Sequence, residues 1–441
     1  MTESSAAGDV AQEVAALTSA ATGNWRRAGV AGAAIGVIAA GAAAGVAIER
    51  LTVGRGMRKK ARLALDSSGP YGGLRGTPGT ALADDGTELY YEIDEAEAEE
   101  TGKTGKAGKG GKGGKGGKGG KDGKAGKASA AAPRRRRLFG RRTPAPVTVV
   151  FSHGYCLNQD SWHFQRAALR GLVRTVHWDQ RSHGRSARGA SQRGPGAVPV
   201  TIDQIGRDLK AVLDAAAPEG PLVLVGHSMG GMTIMALADQ YPELIRERVV
   251  GVAFVGTSSG KLGEVNYGLP LAGVNAVRRI LPGVLKALGS QADLVERGRR
   301  ATADLFAGLI KRYSFSSKDV DPAVVRFAER LIESTPIDVV AEFYPAFTDH
   351  DKTAALEVFL EVPALILAGV SDLVTPSSHS EAIADLLPDA ELVLVPDAGH
   401  LVMLEHPEAV TDRLADLLAR VGAVPTETNV GTYGTTAQPG N

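Results

Sequence analysis

Short apolar runs rich in β-branched residues recur along the chain at Val147–Phe151, Thr175–Trp178, Leu222–Val225, Val249–Val255, Ala364–Ala368 and Leu392–Val395. Runs of this length, separated by helix-length segments, predict strands of a buried, mostly parallel central sheet flanked by helices, an α/β fold. Asp85-Gly86 introduces one more strand, Thr87–Ile93, with the alternation and aromatics of a half-buried ribbon. From about Gly260 to Leu356 the rhythm breaks and the pattern turns helical.

These patterns divide the chain. A polar tail (1–27) precedes an apolar segment (28–48) and a linker (49–79). A first strand region (80–94) is followed by a charged insert (95–143), and the main α/β unit (144–421) carries a helical insertion at 260–356. A flexible tail (422–441) follows.

Ala28 to Ile48 holds no charged residue over 21 positions. As a helix it would be roughly 31 Å long, about one hydrocarbon core. Only Val30, Ile35, Val37, Ile38, Val46 and Ile48 are larger than Ala or Gly, so its transfer energy is small. The expectation is a single-pass membrane anchor, with a helix that does not insert and a cleaved signal as the alternatives. Arg50, Arg55, Arg58, Lys59, Lys60 and Arg62 follow it, while only Arg26 and Arg27 precede it. The positive-inside rule then puts the main unit in the cytoplasm.

Composition changes this picture at one place. Glycine numbers 56 of 441 residues, and much of it lies in a Lys/Gly period from Gly102 to Lys127. Nine Lys and six Arg stand between Gly102 and Arg142 against the single acid Asp122, whereas the whole chain carries a net charge of only +1. The period lacks the proline of collagen, and Glu97 stands where a phosphate-binding loop ending at Gly102-Lys103-Thr104 needs glycine. What remains is a disordered cationic tether able to contact an anionic membrane surface or to act as a spacer. It lacks aromatics for base stacking, so no specific nucleic acid is expected. The single cysteine, Cys156, excludes an internal disulfide and any multi-cysteine metal site, and suits a small pocket-wall position.

The chemistry gathers at Gly226-His227-Ser228-Met229-Gly230-Gly231, directly after one predicted strand and before a helical pattern. That is the strand–turn–helix setting of a G-x-S-x-G nucleophile elbow, which lifts the serine hydroxyl clear of the backbone. A serine needs a base, and the base an orienting acid. His400 follows the last apolar run, in Asp397-Ala398-Gly399-His400, whereas His406 opens the final helix and is expected outside the site. Asp372 follows Ala364–Ala368, while the turn after Val249–Val255 offers Thr257 and Ser258 but no carboxylate. The order Ser228, Asp372, His400 is that of a strand–elbow triad. The amide of Met229 and that of Tyr155, in Ser152-His153-Gly154-Tyr155, are the expected oxyanion donors. His153 is expected to pack beneath that turn.

With these motifs the chain resembles the α/β-hydrolase fold superfamily, in its serine-nucleophile, esterase- and lipase-like branch. The resemblance covers Thr80–Asp94 and Pro146–Arg420. Asp179-Gln180-Arg181-Ser182-His183-Gly184-Arg185-Ser186 is similar to the family's D-x-R-G-x-G-x-S loop, departing from it at Ser182. The resemblance implies that 260–356 is a helical lid and that an ester or related acyl bond is cleaved through an acyl-Ser228 intermediate. It implies no cofactor and no metal. Serine at the elbow argues against epoxide hydrolase and haloalkane dehalogenase chemistry. Thioesterase, carbon–carbon hydrolase, acyltransferase and cofactor-free peroxidase activities stay open, as does a ligand-binding homologue without turnover. The partner expected is a small-molecule acyl substrate, with membrane association through 28–48 and the basic insert.

Overall fold

The apolar runs assemble into one eight-stranded sheet in the computed structural model, ordered β1-β2-β4-β3-β5-β6-β7-β8. The structure describes residues 71–97, 146–194, 197–265 and 310–424, with Gly283. The polar tail, the apolar segment 28–48, residues 98–143 of the insert and, apart from Gly283, 266–309 of the lid lie outside the described residues. Among the described residues no helix is long and apolar enough to cross a membrane.

The strands are β1 (Thr77–Leu82), β2 (Glu88–Asp94), β3 (Thr148–Ser152), β4 (Arg174–Trp178), β5 (Leu222–His227), β6 (Val249–Val255), β7 (Ala364–Gly369) and β8 (Glu391–Val395). From β4 to β8 every neighbouring pair is parallel, while β1 and β2 form an antiparallel edge. Every residue of β3, β5 and β7 is buried, which is why these strands read as continuous apolar runs without alternation.

The helices are α1 (His163–Leu169), α2 (Ile202–Ala216), α3 (Met229–Gln240), α4 (Pro242–Arg248), α5 (Pro322–Glu333), α6 (Ile337–Thr348), α7 (Ser377–Leu386), α8 (Val402–Glu405) and α9 (Pro407–Arg420). In α2 the Thr201 hydroxyl caps the first turn by accepting from the Gln204 amide at 3.1 Å. Ile202, Ile205, Leu209, Val212, Leu213 and Ala216 then repeat at helical spacing and are all buried. Each large side chain so buried contributes about 1.5–3 kcal/mol. The core lies on both faces of the sheet: Leu222, Leu224 and Ile366 face one layer, Val223, Val225 and Leu365 the other.

Three boundaries differ from the sequence expectation. The span 49–79 was expected to be linker, yet Tyr71 packs on His163, Phe164 and Phe327, and β1 opens at Thr77. Pro78 and Gly79 mask this strand in the sequence: proline is confined to sheet edges, and a side chain at 79 would meet the Tyr91 ring at 2.3 Å. The expected lid end at 356 cuts a 3-10 turn, Ala354–Phe359, whose Ala355, Leu356 and Phe359 belong to the core. At the other end, Val424 is still buried against the core, so the folded unit passes 421.

One device positions the site. Strand β3 lies between β4 and β5, so the chain order reverses there, and the turns leaving β3 and β5 open side by side at the carboxyl edge. Ligands in open α/β sheets bind at this reversal.

Candidate active site

The turn after β5 carries Ser228 at φ +52°, in the left-handed region that a non-glycine residue rarely occupies. Its amide donates to the Val255 carbonyl at 2.9 Å, and its carbonyl accepts from the Thr257 hydroxyl at 2.7 Å. The strained residue is therefore held on both sides by the segment around the end of β6. A side chain at Gly230 would meet the Ser152 carbonyl oxygen at 2.2 Å, so glycine there lets α3 start directly against the end of β3.

His400 and Asp372 meet although they leave different strands. His400 Nδ1 stands 2.8 Å from Asp372 Oδ2. The other carboxylate oxygen accepts the amides of Val374 and Thr375 at 2.7 and 2.9 Å. Burial alone would raise the Asp372 pKa, but the His400 contact and these amides outweigh it and hold the carboxyl below its usual range. Thr375, which sequence reasoning did not single out, places its hydroxyl 2.9 Å from Asp372 Oδ2 and 2.8 Å from the Gly256 carbonyl. Ser228, Asp372 and His400 are 6%, 3% and 9% exposed, so the three lie beneath the surface.

Gly154, in the turn after β3, faces the serine: a Cβ built on it would stand 3.2 Å from the Ser228 Cβ. The amides of Tyr155 and Met229, expected as oxyanion donors, find no backbone or side-chain acceptor among the described residues. Met229 opens α3, where the helical ladder supplies none. His153 is fully buried behind this turn; its Nδ1 donates to the Gly154 carbonyl at 2.7 Å and its Nε2 accepts the Gln180 amide at 2.9 Å. Burial lowers its pKa to about 3, so it stays neutral and structural.

The Asp179–Ser186 loop braces the same turn. His183 Nε2 accepts from the Cys156 amide at 3.3 Å, a contact between the two loops that spacing could not reveal. Asp179 accepts the Gln159 and Arg185 amides at 2.7 and 2.8 Å. Ser182 adopts φ +64° without being glycine. Its hydroxyl accepts the Gly189 amide at 3.0 Å and its own amide donates to Ala187 at 2.9 Å, bonds that offset the strain. The Arg181 guanidinium is buried, paired bidentately with Asp208 at 2.6 Å and with Asp85 at 2.9 Å, tying the loop to α2 and to the β1–β2 turn.

Over the site, α6 meets the turn after β3. The Tyr155 hydroxyl donates to the Val340 carbonyl, and its ring packs on Phe347 at 4.9 Å and Phe343 at 6.3 Å. Arg188 pairs with Glu342 and Asp338 on the same helix. Met229, Met232, Leu262, Val265, Val339 and Phe343 belong to one buried apolar cluster, against which the Tyr155 ring packs.

Other candidates fall elsewhere. His406 does not join the Asp372–His400 pair; its Nε2 lies 3.2 Å from the Asp397 carbonyl. Two more acids, Asp338 in the first turn of α6 and Asp349 at its end, make no bond to His400 among the described residues; Asp338 pairs with Arg188. A cleft of about 860 Å³ between Asp84, Thr201, Arg207 and Lys352 has none of Ser228, Asp372 or His400 in its lining. Among the described residues no three His, Cys, Asp or Glu side chains are grouped to hold a metal ion.

With the geometry in hand, comparison with known proteins is direct. Residues 149–413 match the model of the alpha/beta hydrolase family. The chain is 30% identical over 274 residues to the mouse sn-1-specific diacylglycerol lipase ABHD11, covering 62% of this chain and 80% of that protein. Its fold is similar to that of an esterase from Thermogutta terrifontis, at a TM-score of 0.51 and 22% identity over 78% of this chain and 98% of the other. It is also similar to an enol-lactonase from Burkholderia xenovorans LB400, at a TM-score of 0.52 and 22% identity over 77% and 100% of the two chains.

Proposed function

The chain belongs to the alpha/beta hydrolase family, and on that premise we propose that it cleaves a carboxylic ester or related acyl bond through an acyl-Ser228 intermediate. In this reading Ser228 is the nucleophile, His400 the general base and acid, and Asp372 the residue that fixes the imidazole tautomer. Ser228 Oγ attacks the acyl carbon while its proton passes to His400 Nε2. The amides of Met229 and Tyr155 take the developing oxyanion. Collapse breaks the ester bond, and His400 returns the proton to the departing alcohol. Water then attacks the acyl carbon with His400 as base, releasing the acid and the free serine.

The observation that carries the reading is the His400–Asp372 contact at 2.8 Å, formed at the same sheet edge as the left-handed Ser228. The apolar cluster that adjoins the Ser228 turn through Met229, with Tyr155, Val339 and Phe343 in it, favours an uncharged, apolar acyl group. The name of the mouse relative, a diacylglycerol lipase, supports an ester of that kind. A panel of nitrophenyl esters of rising acyl length, with one thioester, tests this on the whole protein. Turnover that rises from acetate to medium chains supports an apolar acyl site; no turnover on any member contradicts it.

Membrane attachment through residues 28–48, with the hydrolase domain on the cytoplasmic side, is a further part of the proposal and rests on sequence alone. Deleting 28–48 should move the protein from the membrane to the soluble fraction. Equal fractionation of both forms contradicts an anchor.

A further inference from the structure

The residue before the nucleophile, His227, is fully buried at the end of β5. Its Nε2 lies 2.9 Å from the backbone carbonyl oxygen of His400. A carbonyl only accepts, so the proton sits on Nε2 and is donated. Nδ1 is then left as a bare lone pair, with no partner among the described residues. An unsatisfied buried nitrogen carries a desolvation penalty that an apolar side chain would avoid. It stands where the other nitrogen of the ring joins segments 173 residues apart.

The ring borders the nucleophile, the base and the turn after β3. It is covalently next to Ser228, and its centroid lies 4.8 Å from that of His400. Gly154 of the turn after β3 is so near that a Cβ there would stand 2.6 Å from His227 Nδ1. Asp372 fixes the rotation of the His400 ring, but it does not fix where the backbone carrying that ring lies. The His227 bond is made to that backbone.

We propose that His227 is a positioning residue, whose Nε2–H bond to the His400 carbonyl sets the distance between base and nucleophile. The inference rests on the reading of Ser228 and His400 given above. Misplacing a reacting group by about 1 Å can cost on the order of 100-fold in rate, so a bond that locks this spacing has catalytic weight without touching substrate. Burial and the neighbouring His400 lower the His227 pKa to about 3. The ring is therefore neutral at working pH and places no positive charge against the base that must accept a proton.

The test compares His227→Leu, which fills similar space without a donor, with His227→Gln, whose amide N–H can reach the same carbonyl. Ser228→Ala is run beside them in the whole protein with 4-nitrophenyl butyrate. The expected result is a loss of at least about tenfold in kcat for the Leu variant, KM within about threefold, and kcat for Gln at least about fivefold above Leu. A Leu variant that keeps the parental kcat, or equal losses in Leu and Gln, overturns the proposal. Should Leu fail to fold, Gln decides alone: kcat within about fivefold of the parent supports the role, and a larger loss overturns it. Turnover surviving in Ser228→Ala would strike the nucleophile assignment itself. An inactive Ser228→Ala beside a fully active Leu variant would strike only the role of His227.

Discussion

Asp372 Oδ2 lies 2.8 Å from His400 Nδ1, though 28 residues separate the two in the chain. The contact leaves Nε2 without the proton, the form a general base needs. In Asp372→Asn the amide oxygen stays on the Val374 and Thr375 amides, so the NH2 group faces Nδ1 and favours the wrong tautomer. Turnover should fall by about 10⁴-fold while the fold is kept. Kinetics on a nitrophenyl ester, with circular dichroism as control, checks this. An active Asn variant alongside an essential Asp338 or Asp349 would move the triad elsewhere.

Gly154 offers a second test. A methyl group there would meet His227 Nδ1 at 2.6 Å and the Ser228 Cβ at 3.2 Å. Gly154→Ala must push the turn after β3 away from the serine, taking the Tyr155 amide with it. Loss of one oxyanion donor typically costs about 10²–10³-fold in kcat. That loss, with KM little changed, is the expected outcome. An Ala variant with parental kcat would remove Tyr155 from the oxyanion site.

Much of this site is legible in the sequence because the chemistry is local. Gly226–Gly231 specifies a turn between a strand and a helix, and the positions of Asp372 and His400 follow from which strand each comes after. Thr375 and the His227–His400 bond escape notice because they depend on how two loops fold against each other. The strand β1 escapes for another reason: Thr77-Pro78-Gly79-Thr80 has no apolar alternation and is fixed only by pairing with β2. Ser182 shows the converse. The sequence replaces a family glycine, yet two local hydrogen bonds keep the left-handed turn.

Buried histidines make the fold acid-sensitive. Burial lowers His153 and His227 to about 3 and His183 to about 4 from an ordinary 6.5, and it lowers His163, His177 and His350 as well. Only the unfolded chain binds these protons as pH drops below about 6.5, so their stability is present above that value and is lost toward pH 4. Asp179, Asp208 and Glu342 oppose this, since burial raises the first two to about 6 and Glu342 to about 7 and the folded state then binds protons first. The histidines outnumber them, and each net proton is worth about 1.4 kcal/mol per pH unit. The thermal midpoint should fall from pH 7 to pH 5. A flat or rising midpoint would contradict burial of neutral imidazoles.

The most direct test of the central claim is to treat the whole protein with a fluorophosphonate and locate the adduct by peptide mass spectrometry. The reagent reacts with a serine whose proton a neighbouring base removes and whose developing oxyanion is held. A single adduct on the peptide containing Ser228, absent in Ser228→Ala and slowed in Asp372→Asn, is the result expected. No adduct, or an adduct on a different serine that persists in Ser228→Ala, would contradict a serine hydrolase built on Ser228, Asp372 and His400.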